Sequence, residues 1–188
     1  MSNVINILHK TNKTIFSAND LRLLWSISNK DLLKSRIQYY VSKGDLIRIT
    51  KGMYALDDSY NPWELAASIY TPAYLSFETV LREAGVIFQN YERIFVASYI
   101  SREITIRATK IVFKKLKPAI LVNPFGIIQE ANLAKATPER AILDSLYLNP
   151  NFYFDNLRQV NWKLLGKMAK IYESQTVLNK AKEIRKYA

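Results

Sequence analysis

The chain of 188 residues has no cysteine and a single histidine, and these shortages exclude several kinds of site. Without cysteine there can be no disulfide, no thiolate zinc ligand and no thiol nucleophile. His9 falls in a short helical pattern without acidic neighbours, so neither a metal site nor a general-base pair can be assembled around it. Gly-rich phosphate loops, serine nucleophile elbows and paired-aspartate metal motifs are also missing. We therefore expect no enzymatic activity, no cofactor and no metal.

Long hydrophobic runs are missing as well. No stretch of about 18 uncharged apolar residues occurs, and the N-terminus lacks the charged-then-apolar pattern of a signal peptide. Apolar residues still make up 49% of the chain, at a mean hydropathy of -0.10, which suffices for a hydrophobic core. We expect a cytoplasmic globular protein of one large or two small domains that does not bind membranes.

Acidic residues are scarce relative to basic ones, which gives the chain a net charge of +11. Residues 1–56 carry nine Lys or Arg and three Asp or Glu, residues 57–150 carry ten of each, and residues 151–188 carry eight and three. The excess positive charge therefore lies at the two ends of the chain. A basic N-terminal block is the electrostatic footprint expected of a phosphate-backbone binder, whereas the basic C-terminal stretch alone could be a solvated helix.

The first basic block contains a predicted helix and hairpin, residues 28–56. Four apolar residues recur at helical spacing and predict one buried face: Leu33, Ile37, Tyr40 and Val41. Ser28, with Asp31, predicts the helix start, and Gly44 predicts its end. Alternating apolar residues then predict strands on either side of a tight turn at Lys51 and Gly52. A helix followed by a basic hairpin is typical of the second half of a winged helix-turn-helix.

The residues before this stretch supply the other elements of such a module. Residues 2–10 predict a short helix, residues 14–16 a short strand, and Ser17 with Asp20 the capped start of a second helix. The predicted order of helix, strand, helix, helix, strand and strand is that of a winged helix. A small helix-hairpin unit with a solvated face is the alternative.

Turn-forming and acidic residues at 57–62 predict a domain boundary. We therefore predict two domains: a winged helix-turn-helix at residues 1–57, and an α+β domain with a helical tail at residues 61–188. The predicted helices of the second domain begin at Pro62, Ser76 and Thr137 and also cover residues 154–160 and 163–186. The predicted strands cover residues 93–99, 104–109, 110–116 and 119–122. The fold class is α+β.

Candidate DNA contacts lie on the polar side of the predicted second-half helix and on the hairpin. Lys34, Ser35 and Gln38 have side chains that can hydrogen-bond to base edges in the major groove. Three further basic residues are expected to contact phosphates and position the module: Lys30, Arg48 and Lys51. The alternative is that these are ordinary solvent-facing side chains. Arg36 and Tyr39 flank the apolar stripe and could pack against the core instead.

Other charged groups have structural explanations. Glu139 favours the positive end of a helix, and Arg140 with Asp144 has the spacing of an ion pair, so we expect structural roles for all three. The lysine-rich strand at residues 110–117 predicts a protected sheet edge, or a second basic surface. A row of three lysines on the C-terminal helix predicts a solvated face, or else an extended footprint on DNA or another macromolecule: Lys163, Lys167 and Lys170.

Three stretches carry a resemblance to a known family. They are GDLIRITKGMYAL at residues 44–56, AYLSFETVL at residues 73–81 followed by Ala84-Gly85, and ATPERAILD at residues 136–144. With these stretches the chain resembles AbiEi-type antitoxins of type IV toxin-antitoxin systems. The sequence departs from the family pattern at Phe77, where members often have histidine, and in a shorter tail after Pro150.

The resemblance implies a winged helix that represses its own operon and a C-terminal domain needed for antitoxicity. The implied partners are double-stranded DNA of its own promoter region and a nucleotidyltransferase-like toxin that is counteracted without a stable direct complex. Homodimerisation on the DNA stays open. Two alternatives remain: a stand-alone winged-helix transcription regulator, and a protein-interaction module that neutralises a toxin by direct binding.

Overall fold

A computed structural model describes residues 3–89 and 92–187. The chain divides into two compact units, Met1–Ile69 and Tyr70–Ala188. Both units combine helices with a β-sheet, so the α+β fold class expected from the sequence is confirmed.

The first unit contains helices α1 (Asn3–His9), α2 (Ala18–Leu24), α3 (Lys30–Lys43) and α4 (Pro62–Ser68). Its strands are β1 (Phe16–Ser17), β2 (Ile47–Thr50) and β3 (Met53–Ala55), and they form an antiparallel sheet in the order β1-β3-β2. β1 begins two residues later than predicted. The helices and the β2–β3 hairpin follow each other in the predicted order.

Local side-chain chemistry determines where the helices of this unit begin and end. Ser17 and Asp20 form the predicted capping box, in which each side chain accepts a hydrogen bond from the other residue's backbone. The predicted cap at Ser28 is wrong: the Asn29 side chain accepts from the backbone N–H groups of the second and third residues of α3. Gly44 ends α3 with φ at 84°, as expected, because glycine adopts left-handed backbone at little cost.

The core of the first unit packs α3 against the other helices and the sheet. Leu33, Ile37 and Tyr40 are buried on α3 and lie in one cluster with residues from α1, α2 and the sheet. Val41, the fourth residue of the predicted stripe, packs against the edge of this cluster. Burial of such side chains contributes roughly 1.5–3 kcal/mol each. One face of α3 is therefore attached to the core.

α4 belongs to the first unit, although the sequence assigned it to the second domain. Its Glu64 carboxylate accepts hydrogen bonds of 3.0 and 2.6 Å from the backbone N–H and hydroxyl group of Thr14. Thr14 in turn accepts one from the backbone N–H of Asn61. These contacts connect residues some fifty positions apart in sequence, which local pattern does not reveal, and the division between the units consequently falls after Ile69.

The second unit is built on a six-stranded mixed sheet in the order β6-β7-β5-β4-β9-β8. Its strands are β4 (Ala73–Leu75), β5 (Arg93–Ser98), β6 (Arg102–Ile106), β7 (Thr109–Lys115), β8 (Ile127–Glu130) and β9 (Leu133–Ala136). Its helices are α5 (Phe77–Glu83), α6 (Pro118–Leu121), α7 (Pro138–Leu148), α8 (Trp162–Met168) and α9 (Gln175–Ile184). A 3-10 helix, Ala169–Tyr172, follows α8, and another, Arg185–Tyr187, follows α9. Helix α7 packs against α5, α8 and α9.

Several predictions for the second unit are wrong. The apolar run at residues 119–122 lies in and just after helix α6 rather than a strand, because Pro118 occupies the first helical turn. Residues 154–160 form no helix. The predicted continuous C-terminal helix is interrupted after Tyr172 by Glu173, whose φ is +47°. Hairpin β8–β9 was not predicted.

The lysine-rich strand β7 lies inside the sheet, between β6 and β5, so its prediction as a sheet edge is wrong. Its Lys114 turns inward and forms an ion pair of 2.7 Å with Glu78 of α5. The ammonium group also lies 4.8 Å and 4.6 Å from the ring centres of Phe77 and Phe95. A lysine with these partners can occupy an interior strand because its charge is compensated. None of the described helices is both long and apolar enough to cross a membrane.

Two glycines provide a matched test of packing in the second unit. A Cβ at Gly126 would lie 2.7 Å from Cε of Met168, and the residue has φ at +81°. A Cβ at Gly166, within α8, would meet no atom within 4 Å. We predict that Gly126→Ala lowers the unfolding free energy by about 1–3 kcal/mol, whereas Gly166→Ala raises it by up to about 1 kcal/mol.

Denaturant unfolding of the full chain, followed by circular dichroism, measures both effects. Equal stability of the two variants would contradict the packing described around Gly126.

Candidate nucleic-acid interface

Helix α3 presents one continuous face to solvent. The exposed side chains on this face follow helical spacing and lie opposite the buried stripe: Asp31, Leu32, Lys34, Ser35, Gln38, Tyr39 and Ser42. The Asn29 side chain and the Gly44 N–H make hydrogen bonds to the backbone at the two ends of the helix. These bonds fix the helix ends, and the buried stripe fixes which face is exposed. The helix is therefore a fixed support for exposed polar groups.

A groove of about 530 Å³ runs between α3 and the β2–β3 hairpin, and we call it the hairpin groove. Its apolar residues are Leu33, Ile37 and Val41 of α3, with Ala18 and Tyr54 from neighbouring elements. Four of the predicted DNA-contact residues line it: Lys30, Lys34, Gln38 and Arg48. The fold thus brings an exposed amide and three cations together from positions 18 residues apart in sequence.

A second groove, of about 590 Å³, lies on the other side of α3 next to α1, and we call it the α1 groove. Val4, Ile5 and Asn6 of α1 form one wall. The α3 wall has apolar, polar and basic side chains together: Leu32, Ser35, Arg36, Tyr39 and Lys43. Asp45 also lines this groove and forms an ion pair of 3.5 Å with Lys43. Ser35 consequently faces a different groove from Lys34 and Gln38, although all three were predicted to act together.

Lys51 lies in the turn between β2 and β3, is exposed and lines neither groove. Among the described residues, no ion pair involves Lys51 or the three cations of the hairpin groove. No described carboxylate therefore pairs directly with these four cations. Long cationic side chains on a surface of this kind can bind the phosphates of a nucleic acid.

Two residues of the exposed face were not identified as contacts from the sequence. Tyr39 is 53% exposed, so its expected packing into the core is incomplete, and Leu32 is 50% exposed. The Tyr39 ring packs edge-on against Tyr40 at 5.1 Å, and the Lys43 ammonium lies 5.9 Å from its centre. Leu32 was missed because it falls outside the apolar spacing that defines the buried stripe.

The second unit contains a fully buried charged network centred on Arg140 and Asp144 of α7. The predicted ion pair is confirmed, with Nε of Arg140 lying 3.2 Å from Asp144 and both side chains 0% exposed. Arg140 also donates hydrogen bonds to the backbone carbonyls of Ile120 and Phe125, at 2.6 and 2.8 Å. The guanidinium therefore fastens α7 to the segment that follows strand β7.

Hydroxyl groups complete the network around Asp144. Tyr172, Ser76 and Tyr74 donate to its carboxylate at 2.5, 2.7 and 3.1 Å. Ser76, which was predicted to cap α5, makes no side-chain cap hydrogen bond and contacts Asp144 instead. Two of the sequence stretches that carry the family resemblance, residues 73–81 and 136–144, thus meet in this network.

The electrostatics of the network are those of a buried structural core. Burial raises the pKa of the Asp144 carboxyl, against the opposing effect of the Arg140 guanidinium and the three hydroxyl donors. Burial and the neighbouring Asp144 charge together raise the pKa of the Tyr74 and Tyr172 hydroxyls. A tyrosine with a raised pKa keeps its proton and remains a hydrogen-bond donor. Glu139, the third predicted structural residue, accepts a hydrogen bond of 3.0 Å from the backbone N–H of Asn161.

The row of C-terminal lysines is exposed, in agreement with the predicted solvated face: Lys163, Lys167 and Lys170. The first two lie on α8 and the third on the 3-10 helix that follows it. Within the described ranges no group of three or more His, Cys, Asp or Glu side chains could hold a metal ion.

Comparisons with known proteins show a likeness in fold and none in sequence family. No known protein-family profile matches the chain, and no curated protein matches it. The fold is similar to the crystal structure of the RV2827C protein from Mycobacterium tuberculosis, with a TM-score of 0.52 and 13% sequence identity. The alignment covers 95% of this chain and 80% of that chain. At this identity the likeness shows a shared α+β fold and assigns no function.

Removing one partner of the buried ion pair tests its structural role. We predict that Asp144→Ala lowers the unfolding free energy of the second unit by about 3–5 kcal/mol, because it leaves the buried Arg140 charge uncompensated. Tyr172→Phe removes one hydroxyl and is expected to cost about 1–3 kcal/mol. Chemical denaturation measures both. If Asp144→Ala left stability unchanged but removed a biological activity, the network would have a functional role instead.

Proposed function

We propose that the first unit is a winged helix that binds double-stranded DNA, with α3 in the major groove and the β2–β3 hairpin as the wing. The observation that carries this proposal is the position of α3 as a ridge between two grooves. Cations line each groove: Lys30, Lys34 and Arg48 on one side, and Arg36 and Lys43 on the other. A helix that enters a major groove meets a phosphate backbone on each side, so it needs basic groups on both flanks.

The chemistry of the ridge suits the two kinds of contact that DNA offers. Gln38 can pair with an adenine edge, and Lys34 with guanine, while Ser35 can bond to several bases. Lys30, Arg48 and Lys51 are suited to phosphates, which hold the module in place without reading sequence. The excess of basic residues in the first 56 positions adds sequence-independent attraction that weakens as salt is added.

We further propose that the chain is a transcriptional repressor of the AbiEi antitoxin type. It represses its own operon and counteracts a nucleotidyltransferase-like toxin without forming a stable complex with it. Support comes from the three resembling stretches, and from the contacts that Tyr74 and Ser76 in the second stretch make with Arg140 and Asp144 in the third. Two of the three stretches therefore contribute to one buried network of the second unit, which supports reading them together rather than as separate short matches.

The DNA-binding proposal is tested with two double variants that change the same residue types. Lys34→Ala with Gln38→Ala removes two side chains from the hairpin groove. Lys110→Ala with Gln129→Ala removes an exposed lysine and glutamine from the second unit. In gel-shift titrations against the chain's own upstream DNA, we expect the first double variant to lose sequence-specific binding, because it lacks two base-contacting groups.

The Lys110 and Gln129 double variant is expected to bind specific DNA as the unsubstituted chain does. Circular dichroism establishes that both variants remain folded. Specific binding that survives in the folded Lys34 and Gln38 variant would contradict the assignment of α3 as the recognition helix.

The antitoxin role has a separate test. Co-expression of the chain with a neighbouring toxin-like gene is expected to restore growth, while affinity purification of the chain does not recover the toxin protein. Recovery of an equimolar complex would favour direct neutralisation. The lack of any toxin-like neighbour, with specific DNA binding retained, would favour a stand-alone regulator.

A further inference from the structure

We propose that Leu32 and Tyr39 read the 5-methyl groups of two thymines in the DNA site, and this inference rests on the proposed function. Both side chains are about half exposed on the outward face of α3, at 50% and 53%. Both side chains line the α1 groove, to which Arg36 and Lys43 bring positive charge. In the major groove, thymine is the base that offers an apolar group.

The spacing of the two residues fits successive contacts along one groove. They are seven positions apart, which is almost two helical turns, so they lie on the same line of the helix surface. The corresponding rise along the helix is about 10 Å, and a recognition helix places contacts at this spacing about two to three base pairs apart along the major groove. Leu32 lies in the first turn of α3, where recognition helices contact base edges.

The surroundings favour DNA over a protein partner. Ser35 and Arg36 share the groove with Leu32 and Tyr39, so its lining is mixed rather than purely apolar. Lys43 lines the same groove, with its ammonium 5.9 Å from the Tyr39 ring centre and 3.5 Å from Asp45. An exposed ion pair of this kind is weak, so a phosphate can compete for the lysine. Lysine is depleted in the centres of protein–protein interfaces, whereas it is a common phosphate contact. A second copy of the chain on this face is the competing occupant.

The test uses the full chain and DNA in which thymine is replaced by deoxyuridine, which lacks only the methyl group. Selection from a random duplex pool first identifies the preferred site. We expect replacement of one critical thymine to weaken binding about three- to fivefold, since one methyl contact is lost. In Leu32→Ala that replacement is expected to have less than a twofold effect, because the residue that contacts the methyl is gone.

Tyr39→Ala should remove the sensitivity to a second thymine about two to three base pairs away. Leu148→Ala, which truncates a leucine that is 42% exposed in the second unit, is the control and should retain both sensitivities. Thermal unfolding establishes that the variants are folded, so that a binding change can be assigned to the lost contact.

Three results would overturn the inference or its basis. If the selection enriched no sequence, the proposed sequence-specific DNA binding itself would be overturned. A preferred site without A·T pairs, or one in which deoxyuridine costs nothing at every position, would overturn thymine reading while leaving DNA binding intact. If Leu32→Ala instead dissociated a dimer in analytical ultracentrifugation, with deoxyuridine sensitivity unchanged, the face would be a contact between copies of the chain.

Discussion

The attachment of helix α3 by one apolar stripe is the constraint on which the proposed interface depends. Leu33, Ile37 and Tyr40 are buried in the core of the first unit, and their burial is worth several kcal/mol in total. Because a helix repeats every 3.6 residues, burying one stripe necessarily leaves the opposite side exposed. The core thus determines which side chains face outward and holds them in fixed relative positions. A surface of this kind can present hydrogen-bonding groups at a constant spacing, as reading base edges requires.

The second unit depends on a different interaction, a buried charge that is fully compensated. Arg140 meets Asp144, two backbone carbonyls and the Tyr74 hydroxyl, so its guanidinium is hydrogen-bonded on several sides. A buried ion pair is stable only when its remaining donors and acceptors are satisfied in this way. The network joins strand β4, the turn before α5, helix α7 and the 3-10 helix after α8. It accounts for the burial of these polar residues in the interior of the second unit.

Local features of the fold were predictable from the sequence because their causes are local. The capping box at Ser17, the left-handed glycine at Gly44 and the proline start of α7 all depend on neighbouring residues. Features set by distant partners were not predictable. Helix α4 belongs to the first unit because its Glu64 accepts a hydrogen bond from Thr14. The Ser76 hydroxyl donates a hydrogen bond to Asp144 instead of capping helix α5. Short apolar runs also gave a wrong prediction. The run at residues 119–122 fits a strand or a helix equally well, and it was predicted as a strand. Of the six DNA-contact residues predicted from the sequence, four line the hairpin groove together. The position of Ser35 in the other groove could be seen only in the three-dimensional structure.

In the proposed interface, the exposed face of α3 lies in the major groove of a specific DNA site. Because the chain has no cysteine, Ser35→Cys creates a single thiol on that face, to which an iron chelate that cleaves DNA can be attached. We expect cleavage confined to the middle of the bound site, since residue 35 lies on the outward side of α3. The control carries the same chelate on Gln129→Cys in the second unit, where α3 does not direct it to the DNA. If the chain bound its specific site but the chelate at position 35 produced no cleavage there, α3 would not lie in the major groove.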